Sequence, residues 1–238
     1  MNNEADIRTG ADHRAGERSA LQRSPDGGQT RGPYRVCFVC TGNICRSPMA
    51  EWVLRARIAE AGWSDVVEVD SAGTGDWHVG DGADPRTVRV LARHGYPSRH
   101  VARQFQPAEL LRRDLVIALD HGHLRTLRRW AGSLSGDWGT TGGGRTGSGN
   151  TDSGRSGSTA SGARSCDPVK VGSAAELSQP AELRLLREFD PAAGPDRLDV
   201  PDPYYGSLAG FEECLAMVQD AMPGLLSHIG FALETRAG

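Results

Sequence analysis

No run of apolar residues in this chain approaches the ~20 that a membrane-spanning helix needs, so a spanning protein is not expected. Charge of one sign is scarce as well: the formal net value is −3, too small to argue for a nucleic-acid partner or an anionic membrane surface. The N-terminus is polar and carries acidic residues before any apolar stretch, which does not read as a secretory signal. Cysteine is limited to five residues, three of them crowded between Cys37 and Cys45, unlike an extracellular disulfide framework. A reducing cytoplasm is the expected setting. Apolar content is also low, at 38% with 31 glycines in 238 residues. Two polar segments account for the shortfall, leaving enough chain for one domain of ordinary size.

The first polar segment, residues 1–33, mixes Asp, Glu, Arg, Gly, Ser and Gln with almost no large apolar groups. It cannot bury enough surface to offset its ordering entropy and reads as a disordered tail, with a docking arm as the alternative. In the second, from Ser133 to about Ser165, the composition collapses to Gly, Ser and Thr. That composition reads as a flexible insert in a surface connection, spanning about 133–173; a regulatory role is the alternative. The remainder, 34–238, is expected to be a single domain interrupted by this insert.

Within that domain Arg35–Val39 reads as a buried central strand, followed by a helix that Ser47 caps and Pro48 opens and that Gly62 ends. Val66–Val69 reads as a second strand, leading into an irregular glycine-rich loop from Asp70 to Gly82. That loop superficially suggests a nucleotide-binding fingerprint, but its position and glycine spacing are wrong. A helix over Pro85–His94, a strand over Asp114–Leu119 and a helix over His121–Trp130 follow. Order is expected to resume near Ala174 with a short helix-like turn, then a strand over Leu183–Asp190. A long amphipathic helix beginning near Leu208 is expected to be kinked or interrupted at Pro223-Gly224. Alternation of this kind predicts an α/β three-layer sandwich, a four-stranded parallel twisted sheet with helices on both faces.

The chemistry concentrates just after the first strand, in Cys40-Thr41-Gly42-Asn43-Ile44-Cys45-Arg46-Ser47-Pro48. Cys37-Phe-Val-Cys40 is formally a C-x-x-C pair, but its inner residues belong to a strand and no second pair exists. Zinc and dithiol redox chemistry are therefore set aside. The spacing of Cys40 and Arg46 has a mechanical purpose instead. A loop of that length can curl around a phosphate with its N–H groups converging on the oxygens, ahead of a helix N-terminus. Arg46 would add a planar two-pronged donor. Ser47 is placed to donate to the Cys40 thiolate, and Asn43 beside Gly42 suits a left-handed backbone position. Phosphoryl transfer to sulfur also needs an acid for the leaving oxygen. Unperturbed pKa values of about 8.5 for Cys and 3.9 for Asp would leave both groups in the wrong state at roughly pH 6. The loop must lower the first, and a partly desolvated site must raise the second. Asp202, held between Pro201 and Pro203 and flanked by two tyrosines, is the candidate acid, with Asp199 its nearby rival.

Cys40-Thr-Gly-Asn-Ile-Cys-Arg-Ser-Pro, Asp70-Ser-Ala-Gly-Thr, His100-Val-Ala-Arg103 and Asp202-Pro-Tyr-Tyr-Gly together resemble the low-molecular-weight protein tyrosine phosphatases, in an actinobacterial-like form. The resemblance covers roughly 34–132 and 174–233. It implies a phosphoric monoester hydrolase acting on phosphotyrosine proteins through a phosphocysteine intermediate, without metal or cofactor. Asp202 would protonate the tyrosyl oxygen and then act as base toward water. The resemblance further implies that Trp77 and Tyr204 or Tyr205 wall the cleft, that Cys45 can form a protective disulfide with Cys40, and that His100 supports Asn43 and Ser47 from behind. For His100 the alternative is a histidine merely satisfied inside the fold.

Relatives that share the loop supply the alternatives. Arsenate reductases of this fold need further cysteines near mid-chain, and none occurs between Cys45 and Cys166. Protein-arginine phosphatases carry threonine where this chain has Ile44, whose bulk suits a flat aryl group. A catalytically idle phosphotyrosine-binding module is the remaining reading, and the presence of nucleophile, arginine, serine and acid argues against it. Oligomeric state is left open.

Overall fold

A computed structural model describes residues 32–97, 99–135 and 180–237. The tail over 1–31, the insert over 136–173 and the expected turn after Ala174 lie outside the described residues. The chain begins with β1 (Tyr34–Cys40), α1 (Arg46–Glu60), β2 (Val67–Gly73) and α2 (Pro85–Arg93). A 3₁₀ turn (Pro107–Leu111) precedes β3 (Leu115–Ala118) and α3 (His121–Ser135). After β4 (Glu182–Leu185) and a second 3₁₀ turn (Leu186–Phe189), α4 (Leu208–Ala237) closes the fold. The strands form one parallel sheet in the order β2-β1-β3-β4.

Strand alternation explains the layers. Val36, Phe38 and Cys40 face one side of β1, in a cluster with Leu54 of α1, Leu91 of α2 and Leu215 of α4. Cys37 and Val39 face the other side, with Phe105, Leu110 and, from α3, Leu124 and Leu127. The C-x-x-C spacing therefore puts Cys37 and Cys40 on opposite faces of the sheet, where they cannot share a metal or a disulfide. Because β2 and β3 flank β1 on either side, the strand order reverses at the carboxyl end of β1. Open α/β sheets form their ligand crevice at such a point, and Cys40 is the last residue of that strand.

Several boundaries differ from expectation, each for a local reason. β2 runs on through Asp70–Gly73, pairing with Cys37–Cys40, because its polar groups find partners: Asp70 binds Arg103 and Arg113, and Ser71 binds Asn43 and Glu51. Gly73 is required there, since a Cβ would lie 2.7 Å from the Thr41 carbonyl oxygen. Ser47 does not cap α1; it lies inside the first turn after Cys45, which makes no side-chain cap. α2, by contrast, has a side-chain cap: Asp84 accepts from the Arg86 N–H at its start. α3 extends to Ser135, past the expected start of the insert. The expected strand over Leu183–Asp190 is half strand and half 3₁₀ turn. α4 is continuous through Pro223, held by Val218, Met222, Leu225 and Ile229, all buried on one face. Gly224 packs against the Phe189 backbone, where a Cβ would sit 2.2 Å from its carbonyl oxygen. Among the described residues no helix is long and apolar enough to cross a membrane.

Candidate active site

The loop between β1 and α1 turns its carbonyls away from its own centre. Those of Cys40 and Thr41 accept from the Thr74 and Gly75 N–H groups, that of Asn43 from His100, and that of Ile44 from Asp84 N–H. A trans peptide points its N–H opposite its carbonyl, so the amides of Thr41, Gly42, Ile44 and Cys45 are directed to the other side. Asn43, at φ 57°, supplies the left-handed turn that closes the loop. Thr41, Gly42, Ile44 and Cys45, with Cys40 and Arg46, line a cavity of about 390 Å³, walled by Trp77, His78, Asp202, Tyr204 and Tyr205. Trp77 and Tyr205 stand largely in solvent, at 73% and 95% exposure, as a rim for a partner would.

A directed chain of hydrogen bonds ends on the sulfur. Arg103 N–H donates to Asn43 Oδ1 at 2.9 Å, which fixes the amide so that Nδ2 donates to Ser47 Oγ at 2.9 Å and to Ser71 Oγ at 2.8 Å. The Ser71 hydroxyl donates to Glu51 Oε2 at 2.7 Å. Ser47 Oγ, which accepts from Asn43, lies 3.0 Å from Cys40 Sγ, within reach to donate its hydroxyl hydrogen when the sulfur is a thiolate. His100 Nε2 binds the Asn43 carbonyl at 2.6 Å, and burial holds the imidazole below its ordinary pKa. His100 thus contacts Asn43 directly, whereas the partners of Ser47 are Cys40, Asn43 and the Ala72 carbonyl.

Arg46 is buried and held on three sides. Nη1 donates to Asp120 Oδ2 at 2.8 Å and to the Val200 carbonyl at 3.1 Å, while Nη2 donates to Asp202 Oδ2 at 2.7 Å. Asp120, between the expected strand and helix, is not among the expected site residues, yet an Asp just before a helix is a capping signal. It accepts the His123 N–H of α3 with one oxygen and orients Arg46 with the other. Asp202 is less desolvated than expected, its side chain 46% exposed, because its loop lies at the rim. The rival Asp199 does not reach Arg46; its carboxylate accepts the backbone N–H of His121 at 2.7 Å and pairs with that imidazole at 2.6 Å. His78, Asp120, His123, Glu51 and Ser71 complete the site beyond the residues expected.

Cys40, Cys45, Cys37 and Cys214 are all free thiols. Burial pushes Cys37 and Cys45 well above the ordinary thiol range, and Cys214 up to about 12. Among the described residues no group of three or more His, Cys, Asp or Glu side chains is placed to hold a metal.

His123 carries a stability prediction. Its Nε2 meets Thr41 Oγ1 at 2.9 Å, and its Nδ1 lies 3.0 Å from Asp120 Oδ1, out of line for a hydrogen bond. Burial lowers its pKa from 6.5 to about 4 despite Asp120. The folded state thus favours neutral imidazole, and the stabilisation present above pH 6.5 is lost as pH falls toward about 4. That shift corresponds to ~3 kcal/mol at most. Thermal unfolding at neutral pH and in mild acid should show a smaller acid-induced drop in His123→Asn than in the parent; equal drops would assign the effect elsewhere.

A thiol under a serine hydroxyl, an anion-directed loop and an arginine shared by two carboxylates form one constellation, and comparison places it. The profile described as low molecular weight phosphotyrosine protein phosphatase matches residues 35–136 and 167–234. A low molecular weight protein-tyrosine-phosphatase of Streptomyces coelicolor is 50% identical over 204 residues, 86% of this chain and 98% of that protein. Low molecular weight protein-tyrosine phosphatase A of Mycobacterium tuberculosis is 40% identical over 81% of this chain and 90% of its own. The crystal structure of YfkJ from Bacillus subtilis matches with a TM-score of 0.60 at 29% identity, covering 86% of this chain and 99% of that one. The motifs, the sheet order and these matches agree: the chain belongs to the low molecular weight phosphotyrosine protein phosphatase family.

Proposed function

We propose that this protein hydrolyses phosphotyrosine in proteins, with Cys40 as nucleophile, Arg46 and the loop amides holding the phosphoryl oxygens, and Asp202 as general acid and then base. The observation that carries the reading is the Ser47 hydroxyl on Cys40 Sγ at 3.0 Å, in a cavity that Arg46 and Asp202 also line. An arriving phosphate dianion competes with Asp202 for the Arg46 guanidinium, freeing the carboxyl group to face the leaving oxygen. Cys40 thiolate attacks phosphorus, the bond to the tyrosyl oxygen breaks, and the Asp202 proton goes to that oxygen. Asp202 carboxylate then takes a proton from water as the water oxygen attacks phosphorus, and the S–P bond breaks to return the thiolate. Ser47 steadies that departing thiolate, while Arg46 matches charge through both steps.

The cavity supports the choice of tyrosine. Ile44 contributes an apolar floor, and Trp77 and the Tyr204–Tyr205 pair, in edge contact at 4.9 Å, offer flat walls to an aryl ring. Cys37 lies on the face of the sheet opposite Cys40, and Cys214 is buried in α4, an arrangement that weighs against a disulfide relay of the kind arsenate reduction needs. The deciding experiment is phosphate release from phosphotyrosine, phosphoserine and phosphoarginine peptides, with arsenate reduction assayed in parallel. Turnover of the phosphotyrosine peptide alone is expected. Equal or faster turnover of phosphoarginine would overturn the assignment, and no turnover of any substrate would favour an idle binding module. Its partners in this reading are phosphotyrosine proteins, and its place of action is the cytoplasm.

A further inference from the structure

The segment that carries Asp202 is weakly anchored. Among the described residues, the hydrogen bonds that tie residues 201–206 to the rest of the chain come from two arginines. Arg46 holds Asp202 at 2.7 Å, and Arg86 donates to the Tyr204 and Gly206 carbonyls, each at 2.9 Å. The first tie is given up when a phosphate takes Arg46. The second remains, and it is built with unusual completeness. Asp84 accepts from Arg86 Nε at 3.0 Å and Nη2 at 2.8 Å, so one face of the guanidinium fork is fixed. The guanidinium carbon lies 4.4 Å from the Phe211 ring centroid, which sets its plane. Asp84 is buried, and its backbone N–H donates to the Ile44 carbonyl at 2.8 Å. Tyr204 N–H in turn donates to Asp202 Oδ1 at 3.1 Å. An unbroken path therefore runs from the phosphate loop through Asp84 and Arg86 to the carboxyl group of the acid.

We propose that Arg86, locked by Asp84, is a positioning residue that sets Asp202 over the phosphate loop once substrate has displaced Asp202 from Arg46. The proposal rests on the phosphatase reading and adds a residue to it. Arginine is required because four donor contacts leave the fork in three directions, to Asp84, Tyr204 and Gly206. A lysine ammonium is a single point donor and cannot span them.

The test uses Arg86→Met, which keeps an unbranched apolar stem against Phe211, and Arg86→Lys, both checked for parental thermal unfolding. On a phosphotyrosine peptide, whose leaving oxygen needs a proton, kcat/KM of Arg86→Met, which reports the attack on phosphorus and not the later attack of water, should fall about tenfold, part of the ~10²–10⁴ that an acid supplies. On dinitrophenyl phosphate, whose leaving group needs none, the fall should stay under about twofold. Arg86→Lys should lie between, and Arg86→Met should cost nothing further in an Asp202→Ala background. Amide exchange should quicken over residues 202–207 and stay unchanged in β1 and β3. Equal losses on both substrates, or a loss undiminished by Asp202→Ala, would overturn the proposal. So would unchanged exchange over 202–207, a readout that holds even if the parent hydrolyses neither substrate and the phosphatase reading itself fails.

Discussion

Cys40→Ser is expected to release no measurable phosphate from a phosphotyrosine peptide while unfolding at nearly the parental temperature. The substitution exchanges one atom at a residue that is 3% exposed. It leaves in place the Asn43–Ser47–Ser71–Glu51 hydrogen bonds that shape the loop. A cost of ~1 kcal/mol would move Tm by only ~2–4 °C in a domain of this size. Chemistry suffers far more. A serine hydroxyl has no adjacent base here, since the group nearest the nucleophile is another hydroxyl, that of Ser47. It can neither attack as an anion nor leave as one from a phosphoryl intermediate. Phosphate release by a well-folded Cys40→Ser protein would place the nucleophile elsewhere and remove the basis of the mechanism.

Asp202→Ala should lower kcat/KM on phosphotyrosine by ~10²–10⁴-fold, the usual contribution of a positioned acid, and affect kcat/KM on dinitrophenyl phosphate much less, while the shared attack of water on the phosphocysteine slows for both. The variant removes one of three partners of Arg46, but Asp120 and the Val200 carbonyl continue to orient the guanidinium. Phosphate binding and attack by Cys40 should therefore survive, and the protein should hold phosphotyrosine proteins long enough to identify them. Asp199→Ala is the control. Its carboxylate caps the start of α3 and pairs with His121, so its loss should touch stability more than leaving-group dependence. If Asp202→Ala loses equally on both substrates while Asp199→Ala shows the selective loss, the two roles are reversed.

What could be read along the chain was whatever depends on near neighbours. Cys40 to Ser47 is short enough that spacing alone constrains its geometry, and Asn43 adopts the left-handed conformation expected of a residue beside Gly42. The glycine stop at Gly62 falls where local pattern put it, with a φ of 73°. Errors arose where a residue's fate depends on something distant. Asp70–Gly73 looked irregular because its polar side chains are matched by Arg103, Arg113 and Asn43, which lie far away in sequence. Ser47 looked like a cap because Ser before Pro usually is one, and its hydroxyl went to Cys40 instead. Pro223 looked like a break because the packing that carries α4 past it comes from other elements.

The proposed nucleophile, arginine and acid are thus written in linear order, since each sits in a short motif whose residue types suit one reaction. The arrangement that joins them is a tertiary matter. Arg46 and Asp202 are 156 positions apart and meet at 2.7 Å because β1 and β3 are neighbours. The residue that follows β3, Leu119, accepts the Val200 N–H and so brings the acid loop to the carboxyl edge of the sheet. Asp120, His123, Asp84 and Arg86 acquire their roles only there, because a carboxylate or guanidinium becomes an orienting group only when folding delivers a partner within hydrogen-bond reach.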